Sequence, residues 1–245
     1  MSKYKLGFLT DAQIFEHVKN TVLAYVTKID LKKFNKNTID PIKLTFDAKV
    51  YGSSFDAVIE QECLRQIDKA NTNLIGYFHQ NLFKHIGKGW EVPKKGFDVI
   101  NKRKSIYVEM KNKHNTMNAN SAQATYMKMQ QQLIKDTKSC CMLVEVIAKH
   151  SQNIPWKVTF FGEPFEHEQI RRVSIDKFYE IVFNDKRAFA KLCQALPLIL
   201  DDVVREINKG CIESSVAEEL QLLSNNSFKS LFLLAFGTYE GFDKF

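Results

Sequence analysis

Several things are scarce or missing in this 245-residue chain, and each absence removes a class of function. The five cysteines (Cys63, Cys140, Cys141, Cys193 and Cys211) show no paired spacing of the kind that holds zinc or builds a disulfide framework. An odd count without a framework fits a reducing compartment, so a cytoplasmic location is expected. The six histidines form no HExxH-like cluster, and no GxxxxGK[ST] phosphate loop occurs, which argues against zinc-protease chemistry and ATP dependence. The longest apolar runs, such as Leu231 to Phe236, are too short to span a bilayer, so no membrane partner is expected. The opening Met-Ser-Lys-Tyr-Lys lacks the apolar stretch of a signal peptide. No internal repeat or low-complexity tract interrupts the chain.

What is present is a 44% hydrophobic composition, enough for a full core, and a net charge of +7 with a sequence pI near 9.0. The excess is local. Between Lys84 and Lys113 stand nine Lys and Arg against three acids, Glu91, Asp98 and Glu109. A field of that kind suits a polyanion.

Inside it lies the most informative segment, residues 96–113. Two apolar strand-like runs flank a basic turn at Lys102, Arg103, Lys104 and Ser105. Antiparallel pairing about that turn sets Asp98 opposite Glu109, Val99 opposite Val108 and Phe97 opposite Met110. Side chains alternate faces, so Phe97, Val99, Ile106, Val108 and Met110 form a core surface. Asp98, Ile100, Tyr107, Glu109 and Lys111 share the other face. Directly opposed residues lie roughly 4.5–5.5 Å apart at Cβ. Two carboxylates that close repel unless one stays protonated or a cation intervenes. Mg²⁺ takes one or two carboxylates plus water and substrate phosphate, and so resolves the conflict. Lys111, two residues past Glu109, projects from the same face, where an ammonium can orient a water or offset charge on a phosphorane.

Elsewhere, helical periodicity predicts helices over 9–30, with Asp11 as N-cap, and over 53–86, capped by Ser53 or Ser54 and with a possible break near 71–73. Another is predicted over 121–138, capped by Ser121. Residues 31–52 are mixed, with a loop that ends at Pro41. Strands are expected at 139–148, where Cys140 and Cys141 read as core thiols, and at 157–161. Residues 174–208 read as helical with a kink or break at Pro197, and 211–237 as mainly helical. Hairpin, crossover helix and strand together predict an α/β fold: a mixed central sheet flanked by helices, with an α-helical C-terminal extension. The expected organisation is one domain over 1–245. Its core spans about 50–165, with a helical segment at 1–49 and a helical part at 166–245.

The hairpin resembles the core of the PD-(D/E)XK nucleases. Asp98 matches their first acid and Glu109-Met110-Lys111 the (D/E)XK element, while Phe97 stands where the namesake proline would. The longer block Val-Glu-Met-Lys-Asn-Lys-His-Asn-Thr-Met-Asn (108–118), followed by Ser121-Ala122-Gln123-Ala124, is similar to type II restriction endonucleases that cut GGNCC. That resemblance implies a Mg²⁺-dependent homodimer that cleaves double-stranded DNA at a short palindrome. It also implies a cognate DNA methyltransferase encoded nearby that is not a physical partner. Asp98 and Glu109 would hold the metal with the Met110 carbonyl, and Lys111 would position water. An upstream glutamate often joins such sites. Glu62 lies about 60° around the helix from Ile59 and Glu60 about 100° on the other side, which favours Glu62. The loop leaving the catalytic strand must pass near DNA. Lys113, His114, Asn115, Asn118, Asn120, Ser121 and Gln123 are therefore candidate DNA contacts, with Lys128 on the following helix and the basic turn Lys102, Arg103 and Lys104 as phosphate contacts. Two rival readings are a nuclease of the same fold acting in repair or mobile-element processing, and a DNA-binding protein without catalysis.

Overall fold

The computed structural model describes residues 2–114, 116–207 and 213–238. In chain order the helices and strands are α1 (Asp11–Ala24), β1 (Lys28–Ile29), α2 (Leu31–Asn35), α3 (Pro41–Val50) and α4 (Phe55–Leu82). Next come β2 (Trp90–Glu91), β3 (Val99–Asn101), β4 (Ile106–Lys113), α5 (Ala119–Lys135) and β5 (Cys140–Ile147). They are followed by β6 (Asn153–Pro155), β7 (Val158–Phe160), β8 (Glu163–Phe165), β9 (Ile170–Ser174), α6 (Ile175–Phe183) and α7 (Ala188–Ile207). The last are β10 (Glu213–Ser214), α8 (Val216–Leu223) and α9 (Ser227–Phe236). The contacts divide the chain into two compact units, Met1–Ala24 with Asn73–Asn208, and Tyr25–Thr72 with Lys209–Phe245.

The first unit is built on a six-stranded mixed sheet of order β2-β3-β4-β5-β9-β6. The strands β4, β5 and β9 run parallel, while β2 and β3 on one side and β6 on the other are antiparallel to their neighbours. Each face carries its own core, as the alternation along β5 dictates. Met142 and Val144 join Val99, Val108 and Val173 against Ile14 and Val18 of α1, Phe178 and Tyr179 of α6, and Leu192, Ile199 and Val203 of α7. Cys141 and Leu143 turn the other way, with Ile170, and pack on Tyr126, Met129 and Leu133 of α5 and on Trp156 and Val158. This is a mixed α/β architecture with helices on both faces of the sheet.

The second unit closes a separate core of Ile29, Phe34, Leu44, Val58, Ile59, Cys63 and Ile67 with Val216, Leu220 and Leu231. Asp30 and Asp40 cap α2 and α3, and Pro41 occupies the first turn of α3, where its missing N–H costs nothing. The two-residue strands β1 and β10 pair in parallel, Lys28 with Glu213.

Several expectations are corrected. The helix expected over 9–30 stops at Ala24, and Thr10, not Asp11, starts it. Thr10 Oγ1 accepts from Gln13 N at 3.2 Å while Gln13 Oε1 accepts from Thr10 N at 3.0 Å, a reciprocal capping box. Asp11 instead takes Ser2 Oγ at 2.7 Å. Helix α4 runs unbroken past 71–73, and Asn71 is occupied in bonding both the N–H and the C=O of Val26. The break in 174–208 falls after α6, at Asn184 (φ 54°), and Pro197 lies within α7. The C-terminal part expected to be helical supplies β9, an inner strand of the sheet between β5 and β6.

Candidate active site

The hairpin register is the expected one over Val99↔Val108, Ile100↔Tyr107 and Asn101↔Ile106. The tight turn over Lys102–Lys104 is closed by Ser105 in the left-handed region (φ 50°). The ladder slips at Asp98. Its N–H bonds Val108 O at 2.9 Å, one residue short of the expected partner Glu109, and its Oδ2 accepts the N–H of Met110 at 2.8 Å. The slip also turns Phe97 over. Instead of joining Val99, Phe97 packs on Tyr107 at 5.3 Å between ring centroids, on the α5 face. Asp98 is thus clamped to the backbone of the residue that follows Glu109, and Gln80 of α4 donates to the Asp98 carbonyl at 3.2 Å.

Glu109 and Lys111 point to the same face as Leu143 and Glu145, their partners in the β4–β5 ladder. This face is apolar where α5 covers it and becomes charged toward the carboxyl ends of the parallel strands. Glu109 is 9% exposed. Burial pushes its carboxyl up from the ordinary glutamate range, the nearby Asp98 charge adds to that, and Lys128 and Lys111 pull the other way. Lys128 is the main compensation. Its ammonium pairs with Glu109 Oε1, donates to Gly96 O at 2.7 Å and sits 4.5 Å from the centre of the Phe97 ring. A side chain expected to touch DNA phosphate therefore neutralises the second acid. A cation already lodges among carboxylate and carbonyl oxygens there, and hard oxygen donors are what Mg²⁺ takes. The donor set fits such an ion through Asp98 and Glu109. Among the described residues no cluster of three or more His, Cys, Asp and Glu offers an alternative metal site.

The other expected residues are placed as follows. Glu62 belongs to the second unit, where Arg65 donates to its two oxygens at 2.6 and 2.5 Å and Gln66 at 3.0 Å. Burial raises its carboxyl, but those bonds outweigh it, and the net shift is downward. Glu60 is exposed. Asn118, and not Ser121, is the N-cap of α5, accepting from Ser121 N at 2.9 Å. Gln123 donates to Thr159 O at 2.7 Å. Asn120 and Ser121 lie exposed in the first turn of α5, and Lys113 ends β4. Lys102 pairs with Glu91 at 3.1 Å, and Arg103 and Lys104 are exposed beside it. Asn115 lies outside the described residues.

His114 is drawn inward. Its Nδ1 lies 3.1 Å from Glu145 Oε2 and 2.6 Å from Arg172 Nη2, two contacts that compete for one ring nitrogen. Glu145, 1% exposed, is held by Arg172 through Nε at 3.0 Å and through Nη2. Burial raises the Glu145 carboxyl, and Arg172 and His114 more than reverse it. The pair Glu145–Arg172 escaped the sequence reading, although a signal existed. A single acid inside Cys-Cys-Met-Leu-Val-Glu-Val-Ile cannot be buried without a cationic partner.

With this geometry stand the relatives. The chain is similar to the type II restriction enzyme Sau96I of Staphylococcus aureus, 31% identical over 242 residues that cover 93% of this chain and 92% of the relative. It is also similar to the type II restriction enzyme Eco47II of Escherichia coli, 28% identical over 222 residues, 82% of this chain and 89% of that one. The class is therefore that of the type II restriction endonucleases, site-specific deoxyribonucleases. Residues 6–205 match the family model of the Eco47II restriction endonuclease, and the chain belongs to that family.

Proposed function

We propose that this endonuclease cuts double-stranded DNA by PD-(D/E)XK chemistry, with Asp98, Glu109 and Lys111 as its catalytic residues and Mg²⁺ as its cofactor. The observation that carries the reading is the clamp on Asp98. The backbone N–H of the residue just before Lys111 fixes one carboxylate beside the strand that bears the other acid and the lysine. Asp98, Glu109 and the Met110 carbonyl would hold the ion. When bound, it supplies Lewis-acid polarisation of the scissile phosphate and acidifies water.

The side chains account for the remaining work. Met110 N–H holds the Asp98 side chain in place. Lys128 pairs with Glu109 and offsets part of the cost of its burial, and it is available to a phosphate once a stronger cation takes its place. Lys111 presents an ammonium to the attacking water and to the charge that grows on the phosphorus oxygens. The Glu62 role and the loop contacts by Lys113, His114, Asn118, Asn120, Ser121 and Gln123 belong to the same proposal. For Asn118 the helix cap already takes the side-chain oxygen. The resemblance to GGNCC cutters supports that palindrome as the target, a homodimer to read its two halves, a methyltransferase gene nearby, and a cytoplasmic setting. Among the described residues no helix is long and apolar enough to cross a membrane.

The test is plasmid digestion with Mg²⁺ and with EDTA, followed by run-off sequencing of the products. A single set of discrete fragments with Mg²⁺ and none with EDTA is expected. A smear would point to a non-specific nuclease, and intact plasmid to a DNA-binding protein without catalysis.

A further inference from the structure

Beside Lys111 opens a cavity of about 280 Å³. Lys111 and Lys113 of β4, Glu145 of β5, Arg172 of β9, and Lys157 and Thr159 are among the residues that line it. Four cations thus face one carboxylate, and Arg172 already saturates that carboxylate. Among the described residues, Lys111, Lys113 and Lys157 form no ion pair, and Arg172 Nη1 has no hydrogen-bond partner. Unpaired ammonium groups crowded around one hollow repel each other, and an anion relieves that repulsion. The cavity lies at the carboxyl ends of parallel strands, where ligands of open α/β sheets bind. Ala119 and Ala122, at the start of α5, line it too, and their small side chains leave space there.

We propose that this cavity binds a backbone phosphate of the cut DNA strand, next to the scissile one, through Lys157, Lys113 and Arg172. The inference rests on the placement of the scissile phosphate at Asp98, Glu109 and Lys111. Lys111 lines both places, and Lys113 follows on the same face about 7 Å further along the strand, on the scale of one nucleotide step. Glu145 acts as a positioning residue: by taking Nε and Nη2 it fixes the Arg172 guanidinium with Nη1 left for the phosphate. Lys157 and Arg172 come from a stretch whose sequence carries no DNA-binding signature. Three-dimensional placement alone joins them to the catalytic strand.

The experiment measures equilibrium binding in EDTA, so that no cleavage is needed. Two duplexes carrying the mapped cutting site are compared. One is unmodified, and the other has a neutral methylphosphonate at the phosphate adjacent to the cut. The proteins are wild type, Lys157→Gln, Arg172→Lys and Glu145→Gln. For wild type the neutral linkage should weaken binding about tenfold, the scale of a charge-assisted contact. For Lys157→Gln the unmodified duplex should already bind that much more weakly, and the methylphosphonate should add little. Glu145→Gln should show the same loss of coupling to the methylphosphonate, which a purely structural role would leave intact. On a random-sequence duplex, which needs no mapped site, Lys157→Gln should lower the slope of log K against log salt by about 1. Fully additive effects with an unchanged salt slope overturn the proposal. If Asp98→Ala still cuts while the coupling holds, the catalytic assignment has failed and the phosphate site stands.

Discussion

At the scale of single residues, the site balances one buried acid against one lysine. Glu109 is held where its charged form is unfavourable, and Lys128 offsets part of that cost. Its carboxyl is raised in the folded protein, so within the window from the ordinary glutamate value upward the native state binds more protons than the unfolded chain. Stability therefore falls as pH rises through that window. Glu109→Gln should accordingly raise the melting temperature of the metal-free protein at pH 7, and the gain should shrink toward pH 4. Thermal unfolding at the two pH values checks this; a variant that melts lower at pH 7 would show that the Lys128 pair outweighs burial. The same substitution should abolish cutting. Asp98→Ala and Lys111→Ala should each lower the cleavage rate by at least about 10²–10³, with circular dichroism unchanged. Full cutting by either purified variant would remove it from the catalytic set. The two acids and Lys111 were legible because charges are costly in an alternating strand unless they serve something. Lys128 was not, because its distance from Glu109 is set by the crossover of α5 over the sheet and by nothing local in sequence.

At the scale of elements, the β3–β4 hairpin could be read from its alternation and basic turn, and its register is observed as expected. What alternation could not give is the slip at Asp98, because a side-chain carboxylate there competes for the Met110 N–H. The strand β9 escaped for a related reason. Its Ile-Arg-Arg-Val-Ser turns polar groups toward the site, so it lacks the apolar run of a buried parallel strand. Helix starts were misjudged by a residue or more wherever two capping residues stood close together. The start of α5 offers a direct contrast: Asn118→Ala should cost about 1 kcal/mol and Ser121→Ala less than about 0.5 kcal/mol. Urea unfolding midpoints of the two variants decide it. Equal losses would mean that both side chains share the cap.

At the scale of the whole molecule, the +7 charge is concentrated on the segment that carries the hairpin. DNA affinity should therefore fall steeply with salt, log K losing about 0.9 per tenfold salt for each phosphate engaged. A titration from 50 to 200 mM salt that leaves affinity flat would sink the view of this region as a polyanion surface. The division into two units was not visible in composition, because the second unit is assembled from stretches far apart in the chain. Lys28 pairs with Glu213, and Ile29, Phe34 and Ile67 share their core with Val216, Leu220 and Leu231. That arrangement bears on how the enzyme is made. The ribosome finishes the early half of this core, at Ile67, about 150 residues before its complement begins at Val216, so the nascent chain carries an open apolar surface until the late helices emerge, and an interrupted translation product lacks the residues that cover it.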